Sequence, residues 1–388
     1  MRKKILLSCY ILIILSVIVY SINFIKNISG NDDIVLFKNP QQGTIHVYLD
    51  NVTFSTELQL FDIVKRDKKT PKIISWNWER FPDLKNLEKY NAKTVSIPFF
   101  WYKGYDKNSL EKVLKEIKKI KDNDFVFHIN LHWVSMAIPF LQIIPKENVK
   151  HIHIYEDGIA NVLSSTIGTY LLPNEIPNAK EKMEKCLKSY CHPYEYKFLL
   201  QHVYPTTYHI TYLDEVKKEP RLQNFLNLIK DANIKPVNLE DEAKKITYEQ
   251  KKELLEILNF DMDFYLDLIK DKKVNFFVVN HFSKADNKHL KSWYEKHKND
   301  KNSVNFIKAE SKAIENMLVP AYIFPNQVPF EILLLTGITP DSVSGHCSTL
   351  FYSLPKEKIG KIKACDTRTY EILKKLKNLD DNQIEKVR

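Results

Sequence analysis

Glycine is scarce in this chain, with eight among 388 residues and none of them clustered. That scarcity argues against a glycine-rich loop cradling phosphate. Cysteine is scarce too: Cys9, Cys186, Cys191, Cys347 and Cys365 are all there are. Cys186 and Cys191, followed by His192, lack a second pair at zinc spacing, so buried or inert thiols are expected and no disulfide framework is legible. No internal repeat, low-complexity tract, arginine-rich stripe or nucleic-acid motif is present, and no nucleic-acid partner is expected.

What the chain does have is apolar bulk, 44% hydrophobic with 20 Tyr and 21 Phe, enough to bury large cores. Its length predicts two domains beyond any anchor. The net charge is +10, of which Arg2, Lys3, Lys4 and Lys26 supply four with no acid in the first 30 residues, leaving +6 for the remainder. That balance suits an anionic ligand, an acidic glycan or a membrane surface, although scattered lysines equally describe a solvated exterior.

Residues 5–25 are uncharged and long enough to cross about 30 Å of hydrocarbon as a helix. Three basic residues precede them and Lys26 follows, a bias that puts the short N-terminus in the cytoplasm and the bulk of the chain outside. No small-x-small cleavage site lies between Ser16 and Ser29, so an uncleaved single-pass anchor in a bacterial inner membrane is expected over a signal peptide. Cys9 comes too early in the run to carry a lipoprotein lipid.

After a polar spacer at 31–44, β-rich runs alternate with helical patterns. Strands are expected over 45–50, 72–77, 94–100, 125–131 and 151–157, and a helix over 109–121, where Leu110, Val113, Leu114 and Ile117 share one face. A second series starts near Pro205, with strands over 208–213, 274–280, 305–309 and 322–324 and a long helical stretch over 247–271. Pro329 opens a helix stopped by Gly337, and 343–354 reads as strand, tight turn and helix. The fold class is α/β with doubly wound parallel sheets, in two units joined near 205 and facing a cleft.

Several residues could carry chemistry. Asp157, in Tyr155-Glu-Asp-Gly158 at a strand's end, could take a proton from an incoming hydroxyl, or be an acidic turn. His128, Asn130 and His132 fall on one face by the period-two rule and, with Trp133, could line an acceptor pocket or form a satisfied polar layer under a loop. A zinc site from His128 and His132 lacks an evident third ligand. Ser348 and Thr349 sit at a helix start suited to phosphate, or are an ordinary cap. Lys308 at a strand end and Glu331 in a first helical turn are common surface and cap residues.

Taken in order, these pieces resemble the bacterial sialyltransferases of glycosyltransferase family 80, the group of the Pasteurella and Photobacterium enzymes. The resemblance is strongest in Phe330-Glu-Ile-Leu-Leu-Leu-Thr-Gly-Ile-Thr-Pro-Asp341 and Ser348-Thr-Leu-Phe-Tyr-Ser-Leu-Pro-Lys-Glu-Lys-Ile359. Tyr155-Glu-Asp-Gly158 is similar to the family's Tyr-Asp-Asp-Gly, and 45–50 to its opening strand. The match spans roughly residues 45–365. It implies a GT-B fold: an anchor at 1–30, an acceptor domain at 31–204, and a nucleotide-sugar domain at 205–388 whose last helix could pack back on the N-terminal one.

The resemblance further implies single-step inverting transfer from CMP-sialic acid to a galactose-terminated glycan, with no metal or other cofactor. Asp157 would be the base, Glu331 would bind the cytidine ribose, and Ser348 and Thr349 would hold the phosphate. One departure stands out. Where the family carries Lys-Gly-His-Pro, whose histidine assists the departing phosphate, this chain has Lys308-Ala309-Glu310-Ser311. A carboxylate with a reference pKa of about 4.3 would repel phosphate unless burial raised it. Lys308 remains as a cation beside Glu310 in that catalytic position. Replacement of the missing donor by His281 or His346, an altered donor substrate, and loss of activity are the open alternatives.

Overall fold

The fold is given by a computed structural model. It describes residues 36–37, 43–50, 54–76, 84–100, 104–156, 176–189, 198–211, 213–218, 220, 223–279, 286–309, 322–325, 328–346, 350–363, 373–375 and 377–385. Residues 36–388 form one compact unit that holds both main sheets. No described helix is long and apolar enough to cross a membrane, and the expected anchor at 5–25 lies outside the described residues.

Seven parallel strands build the first sheet: β1 (Ile45–Asp50), β2 (Lys72–Trp76), β3 (Ala92–Thr94), β6 (Phe125–Asn130), β7 (Val149–Tyr155), β8 (Thr206–Thr211) and β9 (Asn233–Val237). Their order is β3-β2-β1-β6-β7-β8-β9. Between β3 and β6, β4 (Phe99–Phe100) and β5 (Gly104–Tyr105) form a separate antiparallel pair. One expected strand over 94–100 is thereby split between two sheets. Pro98 lies in the gap; it has no N–H for a ladder, and its carbonyl accepts from Asp106 N instead.

The second sheet, also wholly parallel, has β10 (Lys273–Val279), β11 (Ser303–Ala309), β12 (Tyr322–Phe324), β13 (Ser342–His346), β14 (Ile359–Lys363) and β15 (Ile384–Glu385). Its order is β12-β11-β10-β13-β14-β15. The division expected at residue 205 falls inside the first sheet, because β8 and β9 pair onto β7 and the second sheet begins only at Lys273. Pro205 directly precedes β8, inside the first sheet's own chain path.

The helices that matter below are α1 (Phe54–Lys65), α2 (Lys107–Ile120), α3 (Leu239–Ala243), α4 (Tyr248–Ile257), α5 (Met262–Ile269), α6 (Asp286–His297), α7 (Phe330–Leu335) and α8 (Leu350–Ser353). Asp106 caps α2 through Ser109 N, and Val113 and Ile117 are buried on the face the periodicity selected. The stretch 247–271 is two helices, α4 and α5. Asn259, at φ 54°, turns the chain out of the helix between them. Gly337, at φ 81°, ends α7 as expected.

The two halves meet around α1. Glu253 of α4 accepts from Tyr90 Oη at 2.6 Å and pairs with Lys68 Nζ at 2.5 Å, and Gln250 donates to Val64 O at 3.3 Å. α7 packs against both α1 and α3. An aromatic cluster of Tyr265, Phe276, Phe306, Phe324 and Phe330 fills one face of the second sheet. Phe277, Val279, Leu290, Trp293 and Ile307 fill the other, under α6. Cys186 is buried and disulfide-bonded, which corrects the expectation of an inert thiol there.

Candidate active site

Parallel sheets place chemistry at the carboxyl ends of their strands, and in the first sheet those ends are polar and buried. Asp50, the last residue of β1, is wholly buried with its Oδ1 accepting from Asn130 Nδ2 at 3.0 Å, across to the end of β6. Gln59 of α1 donates to Asp50 Oδ2 at 3.4 Å and accepts from Trp76 Nε1, at the end of β2, at 2.9 Å. Past the end of β7, Glu156 is wholly buried and its Oε1 accepts from Thr211 Oγ1, at the end of β8. Buried carboxylates survive only with donors in place. The ends of β1, β2 and β6 are therefore tied together, and separately those of β7 and β8.

Behind that edge runs a layer of rings on the same face of the sheet. The register aligns Tyr48 with His128, His128 with His153, and Tyr155 with His209. His128 meets His46 (Nε2 to Nδ1, 2.8 Å) and Tyr155 Oη (3.0 Å), while His153 and His209 meet at 3.0 Å. Tyr48 stacks on His128 at 4.2 Å and donates to Asp62 of α1, which also takes a bidentate pair from Arg66 at 2.8 Å. The opposite face carries Val47, Leu49, Phe127, Ile129, Ile152 and Ile154. The strands therefore pair an apolar face with a polar one, where a doubly covered parallel sheet usually has two apolar faces.

Burial controls the titration of this layer. It depresses His46 to about 3, with the Arg66 charge next, and His209 to about 2, with His153 next. His153 falls to about 4 and His128 lies well below the usual range, both chiefly through burial. Burial first and Asp62 second push the Tyr48 and Tyr155 hydroxyls up. At neutral pH all four rings are uncharged and act as hydrogen-bonding spacers.

The structure separates the expected acceptor-side residues. His128 and Asn130 are wholly buried and engaged with His46, Tyr155 and Asp50, which is the polar-layer arrangement; neither opens onto a pocket. Periodicity named the face correctly, but α1 covers it. His132 and Trp133 lie past the end of β6 in a 3₁₀ turn, half-buried, with His132 N donating to Asn130 Oδ1. Trp133 packs edge-on against Phe99 at 5.5 Å and against His132 at 4.8 Å. Among the described residues no group of three or more His, Cys, Asp or Glu could hold a metal.

In the second half, Lys308 near the end of β11 is buried, donates to Pro325 O at 3.1 Å, and sits 5.8 Å over the Phe324 ring. Glu331 lies half-buried in the first turn of α7, the helix packed on α1 and α3. His346 ends β13 in register with Lys363. Asp157, Glu310, Ser348, Thr349 and His281 lie outside the described residues. A cleft of about 270 Å³ opens where Leu213, Asp214 and Asn238, just past β8 and β9, face Tyr352, Pro355 and Lys377.

Sequence reasoning missed the pairing of Asp50 with Gln59 and that of Glu156 with Thr211 at the strand ends. A signal was there in the alternation His46-Val-Tyr48-Leu-Asp50, which repeats the polar spacing of His151-Ile-His153-Ile-Tyr155.

Residues 266–388 match the family model described as Sialyltransferase PMO188. The match covers the C-terminal part of the chain, from α5 onward. The chain is thereby placed among glycosyltransferase enzymes, with Lys308 and Glu331 inside the matched segment. Curated protein sequences give no match. Among solved structures, the chain is similar to an alpha/beta-galactoside alpha-2,3-sialyltransferase of Photobacterium phosphoreum, at 20% identity and TM-score 0.68, covering 89% of this chain and 99% of that one. It is similar to the GT-B domain of a Photobacterium damselae sialyltransferase at 18% identity and TM-score 0.70, over 88% and 99% of the two chains. A 2,6-sialyltransferase of Photobacterium sp. JT-ISH-224, solved with donor product CMP and acceptor substrate lactose, gives 19% identity and TM-score 0.66, over 89% and 78%. At such identities the likeness speaks to fold, which is GT-B-like across both sheets.

Proposed function

We propose that the chain is a membrane-anchored sialyltransferase, moving sialic acid from CMP-sialic acid to a galactose-terminated surface glycan with inversion. The observation that carries this reading is the sialyltransferase family match over 266–388, the region that contains Lys308, Glu331, Ser348 and Thr349. In this reading the acceptor hydroxyl attacks the sialyl anomeric carbon as the bond to CMP breaks. Asp157 takes the hydroxyl proton, and the bond from Thr211 to Glu156 ties the end of β7, which leads into it, to β8. Glu331, Ser348 and Thr349 hold the nucleotide, and Lys308 contributes positive charge near the leaving phosphate. His132 and Trp133 remain as the half-buried acceptor contacts. Residues 5–25 tether the enzyme to the inner membrane.

Glu310, standing where the family has histidine, favours a second reading: a GT-B transferase with another nucleotide-sugar donor, or a binding relative without turnover. Incubating the full chain with CMP-sialic acid and with UDP-sugars, each with lactose, separates them. CMP release dependent on lactose supports sialyl transfer. UDP release supports the changed donor, and CMP affinity without release of either nucleotide supports the binding relative.

A further inference from the structure

The second sheet reverses its direction of growth once. The chain runs from β10 outward to β11 and β12, then crosses back to β13 and continues the other way to β14 and β15, so β10 and β13 are neighbours at the point of reversal. α6, which follows β10, covers the face of Phe277 and Val279 through Leu290 and Trp293. α8, which follows β13, packs against α7, whose Phe330 meets Phe276 on the opposite face. The two exits therefore part to opposite sides of the sheet. Between the carboxyl ends of parallel strands that part in this way lies the crevice where open α/β sheets bind ligands.

His346 is the last residue of β13 and stands half-buried at that crevice. Parallel register sets Val278 of β10 between Lys308 of β11 and Gly345 of β13, so the flanking Cα atoms are about 10 Å apart, and His346 lies one residue nearer the carboxyl edge. Gly345 fixes the approach. Its φ is +123°, and a Cβ on it would fall 2.1 Å from Val278 O and 2.6 Å from Val278 N, so β13 lies against the backbone of β10 just where both strands end. β14 carries an extra residue beside this point, and its Lys361 N donates to Ser344 Oγ at 3.0 Å. An irregularity of that kind at a strand's end re-aims the side chain that follows.

A departing phosphate needs a donor aimed at its oxygen, whereas the residue that follows β11 is Glu310, a carboxylate with an ordinary pKa of about 4.3. Imidazole, at about 6.5, keeps a protonated fraction near neutral pH. Val279, ending β10, has no side-chain donor, and Lys308, held by Pro325 O at 3.1 Å, supplies charge and is too weak an acid to give up its proton.

We propose that His346 donates to the phosphate oxygen that leaves, the part that Glu310 cannot take; this rests on the transfer reading above. As the acceptor oxygen bonds to the sialyl anomeric carbon, the bond from that carbon to the phosphate oxygen breaks and its electron pair stays on the oxygen. The imidazolium proton passes to that oxygen while the acceptor's proton goes to Asp157, and both side chains return to their starting states through water.

Two measurements on the full chain test it. With histidine isotope-labelled for NMR, the His346 ring signal, identified by its loss in His346→Gln, is expected to shift on adding CMP and to stay unmoved with cytidine, which lacks the phosphate. No shift with CMP, or an equal shift with cytidine, overturns the proposal. In initial-rate assays with CMP-sialic acid and lactose, His346→Gln is expected to lower kcat about 100-fold or more, with KM for CMP-sialic acid changed less than about threefold. Activity equal to the native chain's overturns it too, as does a loss confined to His281→Gln. A chain that makes no sialyllactose yet shows the CMP-specific shift refutes the transfer reading and supports the phosphate contact, whereas transfer without the shift refutes the contact alone.

Discussion

Acidification should unfold this protein through the first sheet's ring layer, and the structure gives the size of the effect. His46 and His209 are both more than nine-tenths buried and are held near 3 and near 2 in the folded chain, against about 6.5 when unfolded. Their folded values lie below the unfolded one, so the unfolded chain binds more protons in between, and stability falls as pH drops below about 6.5. At pH 5.5 each ring costs about 1.4 kcal/mol, and at pH 5 about 2 kcal/mol. His128 and His153 shift in the same direction and share hydrogen bonds with the first two, which bounds the slope between two and four protons. That is about 3–5 kcal/mol per pH unit, a large part of an ordinary domain's stability. Urea unfolding followed by circular dichroism at pH 7.5, 6.5 and 5.5 measures it. His209→Gln should lower the slope by about one proton. A loss below about 1 kcal/mol between pH 7.5 and 5.5, or a slope unchanged in that variant, refutes the neutral-layer account.

Other expectations follow from single contacts. Asn130→Ala removes a donor to the buried Asp50 carboxylate and should cost about 1–3 kcal/mol in urea unfolding at pH 7.5. Gly345→Ala would drive a Cβ to 2.1 Å from Val278 O, from a backbone at φ +123°, and should abolish soluble expression or lower the thermal midpoint by several degrees. Lys308→Met should lower kcat/KM for CMP-sialic acid about 10–100-fold in initial-rate assays, with lactose KM little changed.

Most of the fold was legible because its strands are short apolar or alternating runs between turn residues, and β1 and β12 fall on the expected residues. β9 escaped because Asn233-Ile-Lys-Pro-Val237 is charged, largely exposed and carries a proline, which an edge strand tolerates and a central one does not. β14 and β15 escaped because Ile359-Gly-Lys-Ile-Lys363 and Ile384-Glu385 are too short and polar to signal. At the site, alternation found the face of His128 and Asn130 but not its cover. The pairing of Asp50 with Asn130 spans 80 residues, and Asp62 and Arg66 enter from α1 and its end, whose own pattern says nothing of a half-buried ion pair against the ring layer. The C-terminal motifs were legible because the chain there matches a known family, whereas nothing local marks Cys186 for a disulfide.

The most direct measurement of sialyl transfer with an acidic residue as base is the sialyllactose yield from CMP-sialic acid and lactose, by mass spectrometry, for the native chain and Asp157→Asn. Sialyllactose from the native chain and a loss of about 10²–10⁴-fold in the variant, with CMP affinity retained, is the expected result. Equal yields from the two proteins, or no sialyllactose from the native chain, would contradict it.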